Sequence, residues 1–504
     1  MLIYEAQWGE QISYPVLSAL QLFPLAAIVL INLVRNRKLL MVAGVMLAVV
    51  ELALAIDLYR HFDHKNAMFQ FAEYLRIAGP LVYHTAVDGV SVLFILLTAF
   101  LSVLVIVYSF IREFKPVSRF LTVLFLVQSC LMSTLVTMNL LWFVLMSALQ
   151  LLPISYLLWK WSTSPEKDMA VKRFMQFMIV AVLLLLVGAL MLAWNHAGHH
   201  GGDWTFELNA LAVMPIPETI SSVVFFLLFY GMAIRVPLFP LHGWLPVIAE
   251  HGTVAIAPVF LLGIKTGIYG MYRFLFPIMS DAINQWHAYV VGFAVAGVFY
   301  AALLALLQVN IRRLMAYAVV SHTSILVIGL FSLNNEAFMG SIMLSATFGI
   351  AISGLLFMAG IIYQRTGTSL FQYMGGLMDR IPLVGITFLL CGLAIVGMPG
   401  TPGFDAAHLV MEAAIHRYGA LVTIAAAVGN VVAAGFLLRA FQRAFLAARA
   451  DNAAQVRDNT TTLALEHALA LILIMVLIAT GFYSEPWLDL IAKSVETLGA
   501  VYIH

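Results

Sequence analysis

The chain has 504 residues, 63% of them hydrophobic and only 10% charged, where a soluble domain carries about 25% charged residues. That composition excludes a soluble globular enzyme and reads as one continuous membrane domain, because there are too few charges to close off soluble cores. A balance of 26 Lys and Arg against 25 Asp and Glu gives no reason to expect a nucleic-acid or polyanionic partner, and the two cysteines, Cys130 and Cys391, both in apolar runs, exclude a disulfide framework and a Cys-rich metal or iron–sulfur site.

The N-terminal MLIYEAQWGEQ has Glu5 and Glu10 and no basic residue, so it lacks the n-region of a cleavable signal, and the first apolar run is expected to insert as a permanent span. A hydrocarbon core of about 30 Å needs about 20 apolar residues per helix. Runs that meet this cover 16–34, 39–58, 89–111, 118–138, 139–161, 171–194, 217–240, 253–276, 287–308, 313–333, 338–363, 383–413, 419–447 and 463–482, which predicts about 14 transmembrane helices in an all-α polytopic membrane protein. The twelfth run contains GMPGTPG at 397–403, which no straight helix tolerates, and Pro237, Pro240 and Pro246 crowd the end of the seventh. Two broken helices five spans apart suggest two structural repeats, an architecture that places ion sites at mid-membrane. The longest stretches between spans, 59–88 and 195–216, read as polar, His-containing loops.

With the N-terminus outside, alternate loops collect eighteen basic residues on the inner side, among them Arg112, Lys172, Arg312, Arg365 and Arg439. Six fall on the outer side: Arg60, Lys65, Arg76, Arg273, Arg417 and Lys493. The bias of Lys and Arg toward the inner side sets orientation and puts both termini in the periplasm of a bacterial inner membrane.

The ionisable residues inside these runs carry the functional expectation, since a charge at mid-bilayer costs about 2.5–3.5 kcal/mol on insertion scales. Arg235 keeps its charge and is read either as a static pair with a carboxylate such as Glu250 or as a modulator of an ion path. Lys265 suits a proton carrier, against a structural hydrogen bond. His322 fits a proton site, against a satisfied core histidine. Asp405, His408 and Glu412 fall one helical turn apart and can share a face, as an exit site or as a polar helix end. Glu51 and Asp57 read as lying near the outer end of the second span, snorkelling or pairing with Arg60. No Gly-rich phosphate loop, metal-ligand spacing or nucleophile elbow occurs, so no cofactor, metal or catalytic centre is expected.

Taken together, VDGVSVLFILLTAFL (87–101), PLFPLHGWLP (237–246), LLGIKTGIYGMYRF (261–274), NIRRLMAYAVVSHTSILVIGLFS (310–332), YMGGLMDRIP (373–382) and GMPGTPGF (397–404) resemble the antiporter-like membrane subunits of respiratory complex I, most closely the M type, and those of Mrp-type sodium/proton antiporters. The resemblance implies two inverted five-helix repeats, each with a broken helix. The chain then divides into helices 1–3 (1–112), repeat one (118–276), repeat two (287–447), and helix 14 with a C-terminal tail (463–504).

The resemblance also implies ion translocation along a hydrated axis. Its eighth-helix lysine falls on Lys265, its tenth-helix histidine on His322, the histidine after the seventh helix on His242 and the VDG aspartate on Asp88. The chain departs from the pattern elsewhere. The seventh-helix lysine is Arg235, and the fifth-helix glutamate falls on Ala148. The eleventh-helix histidine falls near Phe348 and Gly349, and the twelfth-helix charge falls on Ala407. Val247 and Ala249 replace acidic and histidine positions. These losses, with the segment GTPGFDAAHLVMEAAI, resemble membrane subunits that partner a zinc-dependent carbonic-anhydrase-like protein in bacterial inorganic-carbon accumulation. The implied partners are other subunits of a membrane complex, protons or sodium ions, and lipid. A proton-pumping complex I-like or hydrogenase subunit and a non-conducting membrane anchor are the alternatives.

Overall fold

The computed structural model describes residues 4–79, 81–252, 266–448 and 462–502. In chain order they form β1 (Glu5–Gln7), α1 (Val16–Leu33), α2 (Arg37–His61), β2 (Phe69–Ala78), β3 (Leu81–Val87), α3 (Gly89–Ile111), α4 (Val117–Val136), α5 (Leu140–Lys160), α6 (Lys167–His199), α7 (Glu218–Arg235), α8 (Leu245–His251), α9 (266–278), α10 (Ser280–Leu307), α11 (Ile311–Leu330), α12 (Asn335–Thr366), α13 (Pro382–Ile395), α14 (Gly403–Tyr418), α15 (Ala420–Leu446), α16 (Leu463–Phe482) and α17 (Glu485–Gly499). Lipid offers no hydrogen-bond partner, so apolar runs of this length satisfy their backbones as helices.

Twelve helices among the described residues are long and apolar enough to cross a membrane. The eighth expected span begins within 253–265, outside the described residues. The twelfth is two helices: α13 ends at Ile395, and α14 starts at Gly403 after a turn through Gly397 and Gly400, both at positive φ. A side chain at Gly403 would run into the Ala394 carbonyl, so the two half-helices meet only because that position is glycine. The seventh span breaks in the same manner, with α7 ending at Arg235 and α8 resuming at Leu245.

Burial sorts the helices. The apolar windows of α11 and α12 are 94% buried, whereas those of α2, α15 and α16 are 28% buried within the chain and lie at its periphery. Asp88, Asn139, Asn310 and Asn334 cap α3, α5, α11 and α12 by accepting backbone N–H groups, which fixes where each helix leaves the connecting chain.

Two segments differ from the sequence expectation. The 59–88 connection is not an irregular loop: β2 and β3 form an antiparallel hairpin, and β1 adds to β2 in parallel. The C-terminal tail contains an amphipathic helix, α17, that buries Leu490, Ile491, Val495 and Leu498. Its Ser494 hydroxyl accepts a hydrogen bond from the Gly89 N–H at 2.9 Å. The sheet and α17 therefore lie on the same face, at the start of α3.

A buried ion cluster joins β1 to the rest of this face. His84 on β3 lies between Glu5 at 2.9 Å and Glu207, in close contact. Asn209 and Asn139 donate to the outer oxygens of Glu5 and Glu207, each at 2.7 Å. Burial opposes a charged imidazole here, but hydrogen bonds to Glu207 and Glu5 and their negative charge outweigh it and push His84 up to about 9. Burial likewise opposes the charged form of Glu5, while the His84 hydrogen bond and charge and the Asn209 hydrogen bond outweigh it and hold the carboxyl below its ordinary value.

A histidine whose folded value is raised stabilises fully below its unfolded value near 6.5 and loses that contribution as pH rises through about 9. The protection of β1 amides, relative to their intrinsic exchange rate at each pH, should accordingly fall between about pH 8 and 10. His84→Gln should show the lower protection already at neutral pH and no further fall in that interval; equal protection in both proteins at pH 7 would contradict the clamp.

Candidate functional site

Arg235 is the last residue of α7. Its side chain is buried, and one Nη donates to the Ser147 carbonyl of α5 at 2.9 Å; its Nε has no partner among the described residues. The expected pairing with Glu250 does not form. Glu250, at the end of α8, is 3.2 Å from Arg313 and 3.8 Å from His251, which itself lies 3.3 Å from Glu166, so it belongs to a cluster at the membrane face opposite the sheet. Among the described residues Arg235 has no carboxylate partner. Ala148, the residue after its carbonyl acceptor, supplies no charge to it. Gly267 of α9 packs directly against Arg235 and Val236. Lys265, two residues earlier, lies outside the described residues.

The break after α7 carries His242. Its ring lies 5.9 Å from Phe239, 5.3 Å from Tyr300 of α10 and 6.4 Å from Tyr317 of α11, centroid to centroid, and its buried Nδ1 has no partner among the described residues. Tyr300 and Tyr317 are side chains the sequence reading did not single out, and nothing in the local pattern distinguishes them from ordinary span aromatics.

Five residues beyond Tyr317, His322 is fully buried. Its Nδ1 is 2.9 Å from the Ala318 carbonyl and its Nε2 has no partner among the described residues. A carbonyl only accepts, so Nδ1 carries the proton of the neutral ring and Nε2 presents a free lone pair. That is the arrangement of a proton acceptor. The Phe348 ring of α12 stands edge-on to His322 at 5.2 Å. The position where the family resemblance expects a further histidine is thus an apolar wall beside the first one.

Arg235, His242 and His322 therefore lie in the buried interior at the first break and on α11. The remaining expected residues lie elsewhere. Asp88 caps α3 and is in close contact with Arg273, whose guanidinium also donates to Ser91 at 2.7 Å and to the Tyr269 hydroxyl at 3.0 Å. Arg273 is thus a buried structural partner instead of a loop charge. Breaking such a pair leaves the other charge uncompensated: Asp88→Ala should lower the stability of the solubilised chain by about 3 kcal/mol in denaturant titration, and a change below about 0.5 kcal/mol would contradict this assignment.

On α14, Ala406, Ala407, Val410, Ala413 and Ala414 face inward. Asp405 accepts from Ser484 at 2.5 Å, and His408 and Glu412, 3.9 Å apart, are exposed on the outward face. The three share a face as expected, but it points away from the interior that holds His322. Asp57 accepts from the Tyr14 hydroxyl at 2.7 Å and lies 3.5 Å from His61, so its partners are not Arg60. Glu51, expected near the outer end of its span, is fully buried at mid-helix.

Residues 137–433 match the family model described as "NADH:quinone oxidoreductase/Mrp antiporter, TM". The chain is 27% identical to NADH-ubiquinone oxidoreductase chain 4 of Marchantia polymorpha over 85% of its own length and 86% of the relative's. It is 28% identical to NADH-quinone oxidoreductase subunit M of Escherichia coli K12 over 84% and 83%. Among solved structures, a chain of respiratory complex I from Thermus thermophilus with bound NADH superposes with TM-score 0.85 at 25% identity, covering 97% of this chain and all of that one. A chain of the Mrp complex from Dietzia sp. DQ12-45-1b superposes with TM-score 0.84 at 19% identity, covering 96% and 98%, which shows the shared fold.

Proposed function

The chain belongs to the NADH:quinone oxidoreductase/Mrp antiporter membrane-subunit family, and from that premise we propose that it conducts protons as one subunit of a multisubunit energy-coupled complex in a bacterial inner membrane. The observation that carries the reading is His322, a fully buried imidazole whose Nε2 has no hydrogen-bond partner among the described residues. Retaining a desolvated acceptor with no hydrogen bond costs about 1–3 kcal/mol, and a purely structural helix gains nothing in return.

In this reading His322 and Lys265 take and release protons, His242 with Tyr300 and Tyr317 extends the polar route toward the first break, and Arg235 is a fixed positive charge that sets the potential of the route and repels free cations. His408 and Glu412, on the outward face of α14, stand where a neighbouring subunit or the aqueous boundary meets the chain. The two broken helices mark the cores of two five-helix repeats of inverted sense, and both chain ends face the periplasm.

We assign the energy-consuming partner to a zinc-dependent carbonic-anhydrase-like protein, so that ion flow through this chain powers CO2 hydration. Support comes from Ala148, Phe348 and Ala407, which stand where a respiratory pump would have ionisable groups, and from the GTPGFDAAHLVMEAAI segment. The proton-pumping respiratory subunit is the second reading, favoured by the names of the relatives. Affinity purification of the tagged chain from its native membrane separates the two. A zinc-binding carbonic-anhydrase-like protein should co-purify; quinone-site or hydrogenase-like subunits in its place would overturn the carbon-uptake assignment and leave proton conduction standing.

A further inference from the structure

A cavity of about 390 Å³ lies among α2, α3, α12 and α16, walled by Leu97 and Phe100 of α3 and Ile350 of α12, with Trp487 of α17 at its sheet end. Two lining residues carry hydroxyls, and neither offers one to an occupant: Thr347 donates to the Met343 carbonyl at 3.0 Å and Thr480 to the Val476 carbonyl at 2.7 Å, each within its own helix. A cavity of this kind stays dry and takes apolar matter. The indole N–H of Trp487 is the remaining polar group, at the level where tryptophan meets lipid headgroups.

The cavity reaches the bilayer sideways. Helices α2 and α16 are peripheral, and both pack on α3 with little contact to each other. Ile56 of α2 and Ala479 of α16 line the cavity and are exposed, so it opens between them. Counted from the helix ends at the sheet face, Thr480 lies two residues deep in α16 and Ile350 fifteen residues deep in α12. At 1.5 Å per residue the cavity runs from about 3 Å to about 22 Å below that face. That is the depth of one leaflet with its headgroups.

Size selects the occupant. A dry cavity of about 150 Å³ holds the six carbons of benzene. At the same 25 Å³ or so per carbon, this one takes about sixteen carbons in a row, one acyl chain. A helix of a neighbouring subunit, about 10 Å across, needs about 1,700 Å³ over the same depth. A counter-charge for a headgroup lies at the mouth. Arg60 is one turn beyond Ile56 on the same stripe of α2, exposed, and without an ion-pair partner among the described residues, since Asp57 turns to Tyr14 and His61.

We propose that this cavity is a phospholipid site: one acyl chain of a lipid from the leaflet on the sheet side fills it, the second chain stays in the bilayer, and the phosphate rests on the Arg60 guanidinium. The site does not depend on what the chain conducts.

The assembled complex is reconstituted in vesicles of phosphatidylethanolamine and phosphatidylglycerol that contain a small share of phospholipid with a diazirine at the end of one acyl chain. After illumination, labelled peptides are mapped by mass spectrometry. Label should appear on the cavity walls, within 93–100 of α3 and 343–350 of α12; its absence from both overturns the site, whether the cavity takes no lipid or a neighbouring subunit fills it. Ala479→Trp fills the cavity from α16 and Ile56→Trp fills its mouth from α2. Each should lower wall label several-fold in the assembled complex with total lipid label unchanged, and undiminished wall label in whichever variant assembles overturns the site. Arg60→Gln should weaken phospholipid retention about fivefold, read by native mass spectrometry as bound lipid against lipid added. Equal retention, or a free fatty acid bound in place of the phospholipid, overturns the headgroup assignment.

Discussion

Replacing His322 with alanine should lower proton movement by the assembled complex about a hundredfold, or about 2.7 kcal/mol of barrier. The imidazole is held in one tautomer by its Nδ1 contact to the Ala318 carbonyl, which leaves Nε2 as an acceptor buried in the interior. The edge-on ring of Phe348 closes one side of it. No serine, threonine or carboxylate is hydrogen-bonded to Nε2 among the described residues to take over the transfer. His322→Gln is the more informative variant. It keeps an acceptor and most of the volume but cannot carry a proton, so assembly should survive while translocation is lost. Pumping assayed in inside-out vesicles with a pH-sensitive dye reads the effect; a glutamine variant with undiminished pumping would make His322 a packed core residue.

Arg235 gives the second large effect, and its sign depends on charge alone. The guanidinium is buried, donates to a backbone carbonyl and has no carboxylate partner among the described residues. A fixed cation in that place raises the energy of any other cation beside it, which suits a route for protons handed between side chains and opposes leakage of free ions. Arg235→Lys retains the charge and should retain translocation within a few-fold. Arg235→Ala should lose roughly 10- to 100-fold in coupled activity. It should also raise the passive cation leak of reconstituted vesicles. Alanine and lysine variants of equal, full activity with no added leak would show that this half of the chain serves as scaffold.

Most spans were readable because a single physical constraint, satisfaction of the backbone in lipid, ties apolar length to helix. The breaks were readable because proline and glycine at 237–246 and 397–403 cannot continue one. The hairpin escaped because its strands carry Gln70, Glu73, Arg76 and His84 with no regular alternation, and its shape comes from packing on α1 and α4. Helix α17 escaped because a search for uninterrupted apolar runs rejects an amphipathic helix by design.

Among the site residues, chemical type was legible and partnership was not. Glu250 and Arg235 look like a pair along the chain, yet they lie at different depths, and Arg313 of a later helix takes the carboxylate. Asp405, His408 and Glu412 share a face as their spacing requires, but which face turns inward was decided by Ala406, Ala407 and Val410 packing against neighbouring helices. Glu51 could have been found. Positions 40, 44, 48, 51, 55 and 58 recur every three or four residues, all small or apolar except Glu51, which places Glu51 on the buried stripe, a period stronger than its apparent nearness to a helix end.

The claim that this chain conducts protons, and is not an inert anchor, is tested most directly by proton pumping in vesicles carrying the native complex in which Lys265 and His322 are both replaced by alanine. The account predicts a fully assembled complex that builds no pH gradient when energised, with the unaltered complex building one under the same conditions; an assembled double variant that builds the full gradient would contradict it.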